Sequence, residues 1–176
     1  VNGQVPMVLD ADALNMTGNS LHLAKLVKMA GERIILTPHP GELLRLLGAD
    51  HTRYPGERMA LVSEVLERFG CVVAAKDAVT LVLGRKEDGT FVNTTGNDGM
   101  ATAGSGDVLA GIIGGLLAQK MSCFEAACTG VFLHGKAGDK AAESCGKHGM
   151  TAMDLISRLP EVMKGETVWK EGRCRV

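Results

Sequence analysis

Aromatic side chains are scarce here: four Phe, one Tyr and one Trp make up 3% of 176 residues. Bases therefore have no stacking platform. A basic surplus is missing as well, since 19 Lys and Arg face 20 Asp and Glu for a formal net charge of −1. Together these set nucleic acid aside as a partner. No run of ~18 apolar residues is present to span a bilayer, and no charged segment followed by an apolar one opens the chain. Five cysteines (Cys71, Cys123, Cys128, Cys145, Cys174) make no CxxC pair and no zinc spacing with histidine. Their odd number points to reduced thiols and a cytoplasmic setting. The first residue is Val rather than Met, which suits a fragment of a longer chain or a processed product.

What is present is glycine, at 23 residues, and an alternation of strand-like and helix-like segments. The length suits one domain over residues 1–176, able to bury ~70% of the surface its unfolded form exposes. VPMVLDAD has the apolar character of a buried parallel strand, flanked on both sides, that ends in acids. Ser20 caps a helix LHLAKLVKMA, and Gly31 stops it. RIILT is the next strand, and PHPGELLRLLG is a turn and a short helix. Pro55–Phe69 is amphipathic, with Met59, Val62, Leu66 and Phe69 on one stripe and Gly70 as its stop.

CVVAAK and VTLVLG follow as strands, with the turn RKEDG and a last short strand TFVN giving hairpin character to this part. Three helices come after it: Val108–Gln119, a long one opened by the capping box Ser122-Cys-Phe-Glu125 and running to about Cys145, and one opened by Thr151-Ala-Met-Asp154 that Pro160 curtails or kinks. The tail GETVWKEGRCRV is charged and peripheral in character. The order predicts an α/β layered domain with a mainly parallel sheet flanked by helices. Such folds bind ligands at the carboxyl ends of strands, which selects Asp10–Asn15, Thr37–Glu42 and Asn93–Asp107.

NTTGNDGMATAGSGDVLAGIIGGLLAQ, residues 93–119, passes from a polar glycine-rich loop into an apolar helix. It lacks the GxxxxGK[ST] of a P-loop, the third glycine of a dinucleotide fingerprint, and the GxSxG of a nucleophile elbow. What remains is a helix mouth where the backbone amides of Gly104, Ser105 and Gly106 can cradle an anion. Asp107 repels anions, so it is there either to cap the helix or to take a hydroxyl proton beside a phosphoryl group held by those amides. Gly111, Gly114 and Gly115 permit close packing of the helix behind it.

Elsewhere the same two-way reading holds. Two prolines stiffen Thr37-Pro-His39-Pro-Gly-Glu42 and hold His39 and Glu42 in place. Glu42 alternatively favours the N-terminus of the next helix. Lys76-Asp77-Ala78-Val79-Thr80 offers a charge and a hydroxyl that suit a phosphate, or a solvated turn. Leu9–Asn15 suits Mg²⁺ or a polar substrate group, or a simple Asx turn. His22, His51, His134 and His148 are read as structural or solvent-facing.

Together VLDADALN, ILTPHPGE, AKDAVTLV, the long glycine-rich segment, VFLHGKAGD and GMTAMDLISRLPEV resemble, in order, the ATP- or ADP-dependent NAD(P)H-hydrate dehydratases. The resemblance covers Val5–Val162 and implies a ribokinase-like fold. It implies an enzyme that returns hydrated NADHX or NADPHX to NADH or NADPH at the expense of ATP or ADP, by phosphorylating the ring hydroxyl and eliminating phosphate. By the same resemblance Asp107 is catalytic, His39 and Asp107 contact the hydrated cofactor, and Lys76, Asp77, Ala78, Val79, Thr80 and Gly106 contact the nucleotide. Glu42 matches the acid that helps organise Mg²⁺, and the family is often oligomeric.

Two departures stand out. Asp77 occupies a position more usually Gly, and the family's domain begins earlier, with strands and a glycine-rich turn, so a further chain supplying that segment is one expected partner. A small-molecule kinase that stops at the phosphorylated alcohol and an incomplete nucleotide-binding subunit are the competing readings.

Overall fold

The structure is a computed structural model and describes residues 5–165. The tail expected to be peripheral lies, from residue 166 onward, outside the described residues. The chain falls into two compact units, Val1–Val92 and Asn93–Val176.

The first unit alternates β1 (Met7–Leu9), α1 (Asp12–Asn19), α2 (Leu21–Ala30), β2 (Ile34–Leu36), α3 (Pro40–Leu47), α4 (Arg58–Phe69), β3 (Val72–Ala75) and β4 (Thr80–Leu83), and β5 (Thr90–Asn93) closes the sheet. Strand order follows the chain, β1-β2-β3-β4-β5. β1, β2 and β3 are parallel, with Met7 opposite Ile34 and Ile35 opposite Val72. β4 returns antiparallel to β3, Val73 facing Leu83 and Ala75 facing Leu81, so the expected hairpin character is present. Ile34, Ile35, Leu36 and all of β3 are buried, as continuous apolar runs in a parallel sheet should be.

The helices follow the punctuation of the sequence. Ser20 accepts the Leu23 N–H and Gly31 closes α2 at φ 48°. Gly70 ends α4 in the left-handed region, φ 65°, which a residue without Cβ enters at no steric cost. Leu14, Val27, Leu43, Leu46, Leu61, Val65 and Phe69 join Leu36 and Val73 in one core.

Three expectations change. The Asp10–Asn15 loop shrinks, because α1 already begins at Asp12. α4 starts at Arg58 rather than Pro55, and its buried stripe is Leu61, Val62, Val65 and Phe69, whereas Met59 is exposed and Leu66 only partly buried. β1, expected between two strands, has β2 as its single neighbour among the described residues, and Met7 is 39% exposed.

The second unit is helical: α5 (Ser105–Ala118), α6 (Cys123–Cys145) and α7 (Ala152–Gly165), preceded by a loop with one 3₁₀ turn at Asp98–Met100. Ser122 accepts the Glu125 N–H at 3.3 Å and donates its hydroxyl to the Glu125 carboxylate at 2.7 Å, opening α6 as expected. At α7 the Asp154 carboxylate accepts from the Thr151 N–H and hydroxyl, and those bonds hold its carboxyl below the ordinary value. Pro160 neither ends α7 nor stops it from reaching Gly165. Val108, Ala141, Met150 and Leu155 form one small core, and Leu133, Ala137 and Val162 another.

Close packing by glycine occurs on α6, not on α5. A Cβ at Gly135 would lie 2.1 Å from Thr95 Oγ1 and 2.7 Å from the Thr95 carbonyl carbon, and one at Gly138 would meet Met100 Sδ at 2.2 Å. Gly111, Gly114 and Gly115 have nothing within 4 Å of the place a Cβ would take. Their expected packing role is therefore corrected. Gly135→Ala should destabilise by about 1–3 kcal/mol through overpacking, whereas Gly111→Ala should be neutral or stabilise by up to ~1 kcal/mol from helix propensity alone. Denaturant melts of the two variants check the pair, and equal effects would contradict the packing described.

Candidate functional site

In the first unit the parallel ladder continues past the strand ends. Thr37 N–H donates to Leu9 O at 3.1 Å, and Lys76 N–H donates to Pro38 O at 2.8 Å. The residues following β1, β2 and β3 are thereby held side by side. Lys76 Nζ reaches across the end of β2 to Asp10 Oδ1 at 2.6 Å, with both side chains largely shielded, 22% and 14% exposed. A phosphate approaching Lys76 must share its ammonium with Asp10. Between Asp10 and α1, Ala11 sits at φ 49°, ψ −119°, a region costly for a residue with a Cβ. Next to it Arg45 donates to Asn15 Oδ1.

The His39–Glu42 turn is a capping box. His39 is the N-cap of α3, its Nδ1 accepting the Gly41 N–H at 3.1 Å, and Pro40 occupies the first helical turn. Glu42 is buried, accepts the His39 N–H at 2.9 Å through Oε2, and faces His39 Nε2 at 3.2 Å through Oε1. An acceptor at Nδ1 and a carboxylate at Nε2 describe a neutral ring with its proton on Nε2. His39 keeps 47% of its side chain exposed. Both Glu42 oxygens are thus engaged within the protein, and among the described residues no group of three or more His, Cys, Asp or Glu could hold a metal. Mg²⁺ in phosphoryl-transfer sites takes one or two carboxylates and several substrate oxygens. The described residues alone supply no ready cage.

The 76–80 turn is tied to the segment before it and to the start of α4. Asp77 accepts the Ala78 N–H at 2.8 Å through Oδ1, and the Tyr54 hydroxyl donates to its Oδ2. Arg58 donates to the carbonyls of Ala75, at 3.1 Å, and Val79, and its Nε lies 3.7 Å from Asp77 Oδ2. Burial would raise the Asp77 carboxyl, but the Tyr54 hydroxyl, the Ala78 amide and Arg58 outweigh it and leave it below the ordinary aspartate value. Burial, then the bond to Asp77, pushes the Tyr54 hydroxyl up to about 12.

In the second unit, Asp139 of α6 accepts the Gly96 N–H at 3.0 Å and the Asn97 side-chain amide at 3.1 Å. Asn93 donates to Thr95 O and Val131 O, both at 3.2 Å. The glycine-rich loop is therefore fastened to α6. Gly104, at φ 83°, is the N-cap of α5 and no side chain caps that end. Asp107 is not the N-cap itself but stands in the first turn, where an acid also favours the helix N-terminus.

Ser105 is buried, with its N–H on Thr102 O at 3.3 Å and its hydroxyl 3.2 Å from His134 Nε2. This narrows the expected anion cradle of Gly104, Ser105 and Gly106, because the Ser105 N–H is already used. The amides of Gly106 and Asp107 lie in the first turn, where no carbonyl of the helix can reach them. The Asp107 carboxylate is exposed and pairs with no group among the described residues. His134 Nε2 lies 2.9 Å from the Ser105 carbonyl oxygen as well.

Arg58, Tyr54 and Asp139 were not singled out as contacts in the sequence, and Asp10 was read there as a candidate for Mg²⁺ or a polar substrate group rather than as the partner of Lys76. For Asp139 a signal existed: Gly135, Gly138 and Asp139 share one face of α6 at the i, i+3, i+4 spacing. For Arg58 and Tyr54 there was none, since their partners lie 17 or more residues away.

Residues 1–161 match the Carb_kinase family model, described as NAD(P)H-hydrate dehydratase. The chain belongs to this family. It is 48% identical over 141 residues to an ADP-dependent (S)-NAD(P)H-hydrate dehydratase of Neisseria meningitidis, covering 80% of this chain and 47% of that one. It is 42% identical over 163 residues to a bifunctional NAD(P)H-hydrate repair enzyme of Moorella thermoacetica, covering 92% of this chain and 30% of that one.

Among solved structures, an ADP/ATP-dependent NAD(P)H-hydrate dehydratase from Bacillus subtilis, co-crystallised with ATP/Mg²⁺ and soaked with CoA, superposes with TM-score 0.71 at 28% identity, over 91% of this chain and 56% of that one. A ribokinase-like superfamily protein from Enterococcus faecalis gives 0.76 at 28% identity, over 94% and 54%. The α/β fold is thus ribokinase-like, as the motifs implied. The chain spans less than half the length of these curated relatives, 30% of one and 47% of the other. Among the described residues no helix is long and apolar enough to cross a membrane.

Ala11→Gly should stabilise the protein by ~0.5–2 kcal/mol, since relief of the strained backbone exceeds the added freedom of the unfolded chain; a lower melting temperature would contradict the strain. Tyr54 is the single tyrosine, so ultraviolet titration reads it directly and should find it near 12 rather than 10.0. The folded state then keeps a proton that the unfolded chain gives up near 10.0, so this contribution is complete below that pH and lost as pH rises through about 12.

Proposed function

We propose that the chain carries out ATP- or ADP-dependent dehydration of NADHX and NADPHX. Asp107 is the general base of that reaction. The observation that carries this is its carboxylate: unpaired, exposed, in the first turn of α5 behind the left-handed Gly104, beside the amides of Gly106 and Asp107 itself. A base must be free to meet its substrate, and helix-mouth amides stabilise a phosphoryl group. The family membership and the activities of the relatives support the substrate class.

Asp107 takes the proton from the hydroxyl added to the nicotinamide ring, and that oxygen attacks the terminal phosphoryl group of ATP or ADP. The nucleotide leaves as ADP or AMP. The C–O bond then breaks with its electron pair going to phosphate, driven by the ring nitrogen's lone pair. Loss of a proton from the adjacent carbon restores the dihydronicotinamide. Mg²⁺, when bound with the nucleotide, supplies positive charge to the phosphates. On this reading Lys76–Thr80 and Gly106 meet the nucleotide and His39 meets the hydrated cofactor. Glu42 acts toward Mg²⁺ only indirectly, through the capping box. The working form is a cytoplasmic oligomer.

Asp107→Asn tests the assignment, because the substitution keeps size and removes the base. Turnover of NADHX with ATP or ADP, followed by recovery of dihydronicotinamide absorbance in a catalytically competent assembly, should fall ~10²–10⁴-fold, about 3–5 kcal/mol in the barrier. The melting temperature should hold, and nucleotide affinity should stay equal or tighten slightly. Near wild-type turnover would remove Asp107 from the chemistry. Consumption of ATP without recovery of absorbance by the parent protein would instead indicate a kinase that stops at the phosphorylated alcohol.

A further inference from the structure

Asp77 places a carboxylate inside the turn that, on the reading above, meets phosphates. Left alone it would repel them. Its Oδ1 is held by the Ala78 N–H and its Oδ2 by the Tyr54 hydroxyl, with the Arg58 guanidinium 3.7 Å from the same oxygen. Arg58 does more than face that charge. The same Nη2 bonds the carbonyls of Ala75, before the turn, and Val79, within it, so one planar group sets the spacing of the two arms. Asp77 and Arg58 are 33% and 17% exposed at the side chain, which leaves the pair less screened by water than a surface contact.

We infer that Arg58, with Tyr54, is a positioning residue for the nucleotide: it holds the 76–80 turn closed and neutralises Asp77, so that Lys76 and Thr80 can receive a phosphate. The inference rests on the assignment of this turn to the nucleotide. Loss of Arg58 alone leaves an uncompensated charge in the turn. Loss of Asp77 as well removes the reason for the compensation. A purely structural arginine would couple to Asp77 in stability, as contacting residues do, and leave nucleotide affinity unmoved.

The test is calorimetric titration of the full chain, in its native assembly, with ATP and separately with ADP. The variants are Arg58→Ala, Asp77→Gly, the double variant, and Lys76→Ala. Arg58→Ala should weaken nucleotide binding about tenfold, or 1.4 kcal/mol. Asp77→Gly should bind at least as tightly as the parent. The double variant should return to within about threefold of Asp77→Gly, as a coupled pair requires.

Arg58→Gln, which keeps a donor for the carbonyls without the charge, serves where the alanine variant does not fold, and should weaken binding in the same direction. In the absence of nucleotide, Asp77→Gly should lower the Tyr54 titration from about 12. Unchanged affinity in the Arg58 variants, a double variant as weak as Arg58→Ala, or a Tyr54 titration indifferent to Asp77→Gly would each overturn the inference. Weakening by Lys76→Ala without any effect at Arg58 sinks this inference alone. If neither substitution matters, or the parent binds neither nucleotide, the nucleotide assignment of the turn fails with it.

Discussion

The parallel ladder of β1, β2 and β3 is carried one step beyond its strands by the Thr37–Leu9 and Lys76–Pro38 main-chain bonds. What the first unit offers chemically depends on that step. It places Asp10, Thr37 and Lys76 in a row at the carboxyl ends of three parallel strands, the location where open α/β sheets bind ligands. The side chains then divide the work by charge. Asp10 answers Lys76 across the end of β2, Glu42 answers the orphan amide at the start of α3, and Asp77 is answered from α4. A buried strand with a short polar extension thus yields fixed charges without any long loop.

The second unit reaches a comparable result by steric means. Gly135 and Gly138 let the Thr95 and Met100 segment approach α6, and Asp139 fixes the amide of Gly96 and the side chain of Asn97. Gly104 supplies the left-handed entry to α5. The loop is therefore set by backbone clearance and by hydrogen bonds to α6, with Met100 packed against the Val108, Ala141, Met150 and Leu155 cluster.

Much of this was legible in the sequence for local reasons. Ser20 and Gly31, Gly70, and Ser122 with Glu125 are punctuation whose partners lie within four residues, and α2, the end of α4 and the start of α6 fell where they indicate. The Ile34–Leu36 run announced its burial by containing nothing polar. What could not be read was set by distance. The stripe of α4 shifted because the apolar residues on that helix exceed what one face can bury, and the sheet decided among them. The α5 glycines were credited with packing that belongs to α6, since spacing shows which residues share a face but not what that face meets. Of the candidate site, the residues themselves were visible from the family motifs, while the partners that hold them, Asp10 for Lys76 and Tyr54 with Arg58 for Asp77, come from other elements.

The Asp77 arrangement has a bearing on which substitutions this turn can take. A glycine at position 77 would carry no charge to answer, and Arg58 would then be left with its two carbonyl bonds alone. With the acid in place, the Tyr54 hydroxyl, the Ala78 amide and the Arg58 guanidinium all converge on it, so a change at any one of these side chains is felt by the others.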